Sequence, residues 1–280
     1  MLSVIIGLLH PGAMGAAVGA QLVATGQHCV WVPDGRGPAT RRRAEAAGLV
    51  ALAGVEELAS CEVVLSVCPP AAALEVAQQV ARTGFTGYYI DANAISPRRS
   101  QEIATVLDGA TVVDGGIVGP PPHRPDTTRL YLSGAADAVS RVRALFADTI
   151  VEPVVVPGSV GAASALKLAF ATYNKVSHLL AAQAYALAGQ YGVDAELREL
   201  AAAVFPTTPL AAPERLTSVG QRAWRWAPEM AEIADACRDV GLPAELLDAA
   251  ETFLEHWRQH KDEPDLTLDH LLAALSRPRA

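Results

Sequence analysis

Near its start the chain runs "SVIIGLLHPGAMGAAVGAQLVATG", Ser3 to Gly26, without one Asp, Glu, Lys or Arg. Such a run suits a secretion signal, a membrane anchor, or the first strand, turn and helix of a nucleotide-binding domain. A signal peptide needs a basic stretch before its apolar core, and no Lys or Arg precedes Arg36. A spanning helix needs about 20 apolar residues that can stay helical. Here His10-Pro11-Gly12 interrupts the run, because proline removes a backbone donor and glycine favours a bend. Leu2 to Leu9 is short, apolar and rich in β-branched residues, as expected of a buried parallel strand. His10 to Gly15 then reads as a turn, and Ala13 to Thr25 as a helix that Gly26 can cap. Strand, turn and helix in that order point to a dinucleotide-binding unit.

The alternation continues. His28–Val32, Glu62–Val67, Tyr88–Asp91, "ATVVDGG", "RLYLSG" and Val151–Val156 read as strands. Pro38–Ala47, Ala71–Arg82 and Pro97–Leu107 read as helices between them. Strands alternating with helices predict an α/β fold with a parallel, doubly wound Rossmann sheet. From Ser159 onward strand signals vanish. One helix of about 30 residues is expected first, then helices over Asp194–Val204, Gln221–Val240, Ala244–Gln259 and Thr267–Leu275. The expected organisation is a dinucleotide-binding domain over residues 1–157 and an all-helical substrate and dimerisation domain over residues 158–280.

Composition narrows the function classes. A net charge of −8 argues against non-specific binding to nucleic acid or to an anionic membrane. Cys29, Cys61, Cys68 and Cys237 lack paired spacing, which points to reduced thiols in the cytoplasm and away from disulfides or a metal site.

The turn His10-Pro11-Gly12-Ala13-Met14-Gly15 keeps the second and third glycines of a G-x-G-x-x-G fingerprint and has His10 in place of the first. Gly12, Ala13, Met14 and Gly15 are the expected pyrophosphate contacts, at the start of a helix whose amides and dipole favour an anion. His10 reads as a turn residue, or else as a phosphate or substrate contact. After the second strand, Asp34 suits the free ribose hydroxyl of NAD, whereas Arg36 and Arg41, with Thr40 and Arg42 nearby, suit the 2′-phosphate of NADP. The balance favours NADP, with NAD as the alternative; Arg41, Arg42 and Arg43 also fit a solvated helix face.

Four stretches make the chain resemble the superfamily of 3-hydroxyacid and 6-phosphogluconate dehydrogenases, which includes the imine reductases. "GLLHPGAMG" resembles its cofactor loop, and "LSVCPP" the loop beside the nicotinamide. "IDANAISP" resembles its D-x-S-T-x-x-P segment, and "GSVGAASALK" the segment that bears its catalytic lysine. The wording of "LLHPGAMGAAVGA", "GAASALK" and "RWAPEMAEIA" is most similar to a little-characterised phosphogluconate-dehydrogenase-like branch with its own C-terminal domain. The resemblance implies that Cys68 and Pro69 border the nicotinamide, that Lys167 is catalytic, and that the helical domain forms a homodimer. The chain also departs from the pattern. Val118 replaces a substrate-binding serine, Asn93 another serine, Ala171 an asparagine, and Pro228-Glu229 a Lys-Asp pair. These changes remove groups that grip a substrate carboxylate.

On a helical projection Ser164, Lys167, Asn174, Lys175 and His178 share an arc of about 100°. Such a stripe is either an ordinary solvent-facing strip or the lining of a cleft between the two domains. A lysine ammonium can offset charge on a reducing carbonyl and deliver its proton. Lys167 is the expected catalyst, Lys175 a binder of an anionic substrate group, Asn174 and His178 orienting groups, and Asn93 a cleft residue at a strand end. The tryptophans of "RAWRWAPEMAEI" read as core or dimer interface. The function expected is hydride transfer between NADPH and a small carbonyl or hydroxyacid. Imine or enamine reduction, and cofactor binding without catalysis, are the alternatives.

Overall fold

The computed structural model describes residues 4–276. Two compact units divide the chain, one reaching Leu168 and the other starting at Ala169.

The first unit is built on β1 (Ile5–Leu9), β2 (His28–Trp31), β3 (Val50–Ala51), β4 (Val63–Ser66), β5 (Tyr88–Asp91), β6 (Thr111–Val118), β7 (Thr128–Ser133) and β8 (Val151–Val155). The helices are α1 (Ala13–Ala24), α2 (Pro38–Ala46), α3 (Ala73–Arg82), α4 (Pro97–Val106) and α5 (Ala136–Leu145). The sheet runs β3-β2-β1-β4-β5-β6-β7-β8. Its central strands β1 and β4 are buried on both faces, which is why they read as unbroken apolar runs. One layer of core joins Ile6, Leu8 and Leu65 to Val18 and Leu22 of α1 and Val142 of α5. The other joins Leu9 and Val64 to Val76 and Val80 of α3 and Ile103 of α4. Strand order reverses between β1 and β4, whose ends pair Leu9 with Ser66. In open α/β sheets the crevice at such a switch point is where ligands bind.

The sheet is mostly parallel, not wholly so as expected. β6 and β7 pair antiparallel, Asp114 opposite Ser133. Residues 119–127 link them, too few for the crossover that parallel neighbours need. The strand-and-helix pattern read from the sequence also passes over α5. Its buried positions Ala138, Val139, Val142 and Leu145 have helical spacing, but Ala135 at its start offers no side-chain cap.

The 30-residue helix α6 (Ala162–Tyr191) begins in the first unit and ends in the second. Beyond it lie α7 (Asp194–Val204), α8 (Leu216–Gly220), α9 (Ala223–Asp239), α10 (Glu245–Glu255) and α11 (Leu268–Ala273). The second unit packs Met230 and Ile233 of α9 and Leu254 of α10 into its interior. Trp257 is fully buried, and its indole N–H donates to the Leu271 carbonyl at 2.9 Å. Among the described residues no helix is long and apolar enough to cross a membrane, and no cluster of side chains could hold a metal ion.

Candidate functional site

The turn between β1 and α1 is tight. The Gly12 amide donates to the His10 carbonyl at 2.7 Å. A Cβ on Gly15 would lie 2.5 Å from that same carbonyl oxygen, whereas one on Gly12 would meet nothing within 4 Å. Gly15 therefore lets the chain fold back, and Gly12 leaves open space in front of the helix. Close packing of α1 on the sheet falls to Gly19, whose Cβ would touch Leu8 and Leu49 at 2.9 and 3.0 Å. The first amides of a helix have no partner within it. At the start of α1 no side chain caps them and no acid stands in the first turn. Ala13 is exposed and Met14 half-buried at this edge.

Beside the turn lies a cavity of about 260 Å³ lined by His10, Asp34, Arg36 and Gln79, with Val55 and Val76 on its apolar side. An Arg36 Nη atom bonds His10 Nε2. Burial and the Arg36 charge push the His10 imidazole down to about 4, so it stays neutral and accepts. Arg41 stands near the start of α2. Its guanidinium donates to the carbonyls of Pro33 and Arg36, at 3.1 and 3.3 Å, and braces the β2–α2 loop.

At the ends of β4 and β5 a buried polar cluster replaces apolar packing. The Asn93 side chain accepts from the Cys68 amide at 2.6 Å and donates to Ser66 Oγ at 3.1 Å. Its own amide donates to Asp91 at 3.0 Å. Asn93 thus ties the loop carrying Cys68 and Pro69 to the end of β5. Burial raises the Cys68 thiol to about 12, which keeps it protonated and unreactive. Asp91 is fully buried, and its second carboxyl oxygen meets no donor. Burial raises its pKa from 3.8 to about 7, with the Asp114 charge adding; the Asn93 amide and side chain and the Lys167 charge work in the opposite sense.

This shift has a sign. The folded chain holds a proton that the unfolded chain releases, so the stabilisation is complete below about pH 4 and lost as pH rises to about 7. The loss is of order a few kcal/mol. Asp91→Asn is expected to remove it, gaining stability over the natural chain at pH 8 and little at about pH 3.5. Urea unfolding at both values checks this; parallel pH profiles for the two proteins would defeat it.

The start of α6 is set by one carboxylate. Asp114, fully buried on β6, accepts from the amides of Gly161 and Ser164, each at 3.0 Å, and from Ser164 Oγ at 2.6 Å. Ser133 Oγ donates to it at 2.9 Å. A negative group at a helix start satisfies free amides and complements the dipole. One turn further stands Lys167. A Cβ on Gly116 would come within 3.2 Å of Lys167 Cβ and 3.0 Å of the Ala163 carbonyl, so glycine there admits the helix against β6. Lys167 is half-buried and near enough to Asp91 to favour its ionised form.

Solved structures share this fold. The 3-hydroxyisobutyrate dehydrogenase of Mycobacterium tuberculosis, studied with L-serine, is 20% identical, with a TM-score of 0.77 over 99% of this chain and 100% of that one. The 3-hydroxyisobutyrate dehydrogenase of Salmonella typhimurium is 17% identical, with a TM-score of 0.72 over 97% of this chain and 99% of that one. A reductive aminase from Aspergillus terreus, in complex with NADPH and ethyl levulinate, is 18% identical, with a TM-score of 0.57 over 97% and 99%. The chain has the 3-hydroxyacid dehydrogenase fold. Residues 188–257 match a family described as a domain of unknown function, DUF1932. No curated protein sequence matches the chain significantly.

Within this fold a dinucleotide fits the residues present. Gly12 leaves the helix start open, and His10 Nδ1 and Arg36 Nε, both on residues of the cavity wall, are buried without partners. Gly12 and the first residues of α1, Ala13, Met14 and Gly15, follow the end of β1, while Asp34 and Arg36 lie in the loop after β2 and Cys68 and Pro69 in the loop after β4. The apolar cavity wall, Val55, Val76 and Val80, escaped sequence reasoning. It is one face of α3 and the turn before β4, and its spacing looks like ordinary core.

In the second unit the polar stripe of α6 meets its own partners. Lys175, 6% exposed, is ion-paired with Glu229 and stands 5.1 Å from the Trp226 ring centre. That pairing matches the Lys175 charge internally, where the sequence suggested an anionic ligand. The Asn174 carbonyl accepts from His178 Nδ1 at 2.5 Å, and His178 packs edge-on against Trp226. Burial lowers the His178 imidazole, against that hydrogen bond.

Proposed function

We propose that this chain is an NADP-linked oxidoreductase acting on a small carbonyl or hydroxyacid, with Lys167 as proton donor and electrostatic catalyst. The observation that carries the proposal is Lys167, set one turn into a helix whose start Asp114 fixes, beside β5 and β6 in a dinucleotide-type unit. NADPH, when bound, supplies the hydride. The chain's own residues do the rest. Gly12, Ala13, Met14 and Gly15 hold the pyrophosphate with backbone amides. Arg36 takes the 2′-phosphate, which needs a fork of donors. Asn93 fixes the Cys68–Pro69 loop, which would border the nicotinamide. The Lys167 ammonium offsets negative charge on the acceptor oxygen and gives up its proton as hydride arrives.

Imine or enamine reduction is favoured by one feature. Val118 stands half-buried at the end of β6 where the resembling family has serine, so no hydroxyl is offered there to a carboxylate or alcohol. We infer further that the helical unit joins a second copy. Phe170, Tyr173, Leu180, Leu187 and Tyr191 are all exposed and follow one another along α6 at steps of three, seven, seven and four residues, which keeps them on one face. Such a seam suits helix-to-helix association.

The test is direct titration with NADPH and NADH, then NADPH oxidation against ketoacids, aldehydes and cyclic imines, with light scattering on the same sample. Preferred binding of NADPH, consumption by one substrate class and a dimeric mass are expected. Binding without any turnover would leave a cofactor-binding protein and remove the enzyme proposal. No binding would remove both, and a monomeric mass would remove the dimer.

A further inference from the structure

The position that breaks the glycine fingerprint is also the one that touches Arg36. We infer that His10 is a specificity-determining residue: its imidazole accepts a hydrogen bond from Arg36 and holds the guanidinium at the cavity wall, ready for the 2′-phosphate that separates NADPH from NADH. This rests on the cofactor assignment proposed above.

Three observations support it. First, an arginine only donates, so it can bond an imidazole only where that ring offers a lone pair. Burial and Arg36 itself keep His10 neutral down to about pH 4, so Nε2 remains an acceptor throughout the physiological range. A glycine at position 10 offers Arg36 no side-chain acceptor, and the guanidinium then keeps its free rotamers.

Second, the contact spends one Nη group and leaves the rest of the fork. The Arg36 Nε–H is buried and meets no acceptor among the described residues. With Nε2 accepting, the His10 proton sits on Nδ1, which is likewise buried without a partner. Buried donors without partners are costly and call for an explanation. Both belong to residues lining the same 260 Å³ cavity. A dianionic phosphate offers acceptors of the kind that unmet donors on residues of one cavity wall require.

Third, the alternative ligand group is weakly served. Asp34 lines the same cavity but is exposed to solvent. Arg41, another cation expected to serve the phosphate, points Nε and one Nη at the Arg36 and Pro33 carbonyls. Selectivity then falls on Arg36, and its placement on His10.

The experiment measures dissociation constants of the full chain for NADPH, NADH and 2′,5′-ADP, with no turnover needed. His10→Gly, which restores the fingerprint, is expected to weaken NADPH and 2′,5′-ADP about tenfold and to leave NADH within about twofold. His10→Gln, which keeps an acceptor, should retain most of the NADPH preference. Adding His10→Gly to Arg36→Ala should change NADPH binding little further, because the two act through one contact. If NADPH binds the natural chain but His10→Gly shifts both cofactors equally, or neither, His10 is a turn residue and the inference fails. If the natural chain binds no cofactor, the cofactor assignment fails and takes the inference with it. Equal losses in His10→Gly and His10→Gln would also overturn it, since a retained acceptor would then count for nothing.

Discussion

Lys167→Ala is expected to lower turnover by about a hundredfold or more, while NADPH affinity stays within about twofold. The two halves of that statement have different sources. On the proposed reading, cofactor affinity resides in the β1–α1 turn, the Arg36 cavity and the Cys68 loop, which hold their shape through the His10 carbonyl, the Arg36–His10 contact and the Asn93 side chain. Turnover needs a cation where charge develops, and the choice of cations is narrow. Lys167 is the only lysine in the first 168 residues. In the second unit Lys175 is bound to Glu229, and Lys261 lies 4.1 Å over the Trp224 ring. Arginine elsewhere cannot surrender a proton at neutral pH. Lys167→Arg keeps the charge without a transferable proton, so it should recover binding of an anionic or polarised substrate better than it recovers rate. The measurement is the initial rate of NADPH oxidation with whichever substrate class the screen identifies. A Lys167→Ala enzyme within about tenfold of the natural rate would end the proposed role, even with the cofactor site intact.

What the sequence disclosed follows from what is local. The first strand, turn and helix were legible because a strand buried on both faces writes itself as an unbroken apolar run, and His10-Pro11-Gly12 breaks it at the place where β1 ends. The length of α6 was legible for the same reason: nothing within thirty residues interrupts it. Strand direction was not, since an apolar run looks the same in either sense; only the short link before Thr128 betrays the reversal of β7. Side-chain partners across the fold were the least accessible. Asn93 was expected in a cleft, yet its amide is spent on Ser66 and Cys68, about 25 residues away in sequence. A lysine on an otherwise apolar helix signals either a ligand or a hidden counter-ion. Lys175 turned out to have the counter-ion, and the sequence pattern around it is the same in both cases.

Asp114→Ala is expected to destabilise the first unit by about 4 kcal/mol, the largest stability effect of any substitution considered. The carboxylate is fully buried, and five donors converge on it: Ser100 Oγ of α4 at 3.4 Å, Ser133 Oγ of β7, the Gly161 amide, and both the amide and the hydroxyl of Ser164 at the start of α6. Removing it leaves two backbone amides without an acceptor, each costing about 1–3 kcal/mol, and also removes a negative group from the positive end of a long helix. The hydroxyls suffer less. Ser164 Oγ still reaches Ser100 Oγ at 3.0 Å, and Ser133 Oγ still accepts from the Ala163 amide at 3.0 Å. The melting temperature should fall by roughly 10 °C. Asp114→Asn separates packing from polarity. It fills the same space and keeps one acceptor oxygen, but it turns an N–H₂ toward groups that themselves donate, so about half the loss should remain. The effect should reach the chemistry as well, because Lys167 stands one turn past Ser164 and inherits its position from this anchor. Ser164→Ala, which keeps both backbone bonds, should therefore lower the maximal rate by severalfold while leaving the NADPH dissociation constant alone. An Asp114→Ala protein that unfolds within about 1 kcal/mol of the natural chain would mean that α6 holds its place by apolar packing, and that Lys167 owes nothing to the carboxylate beneath it.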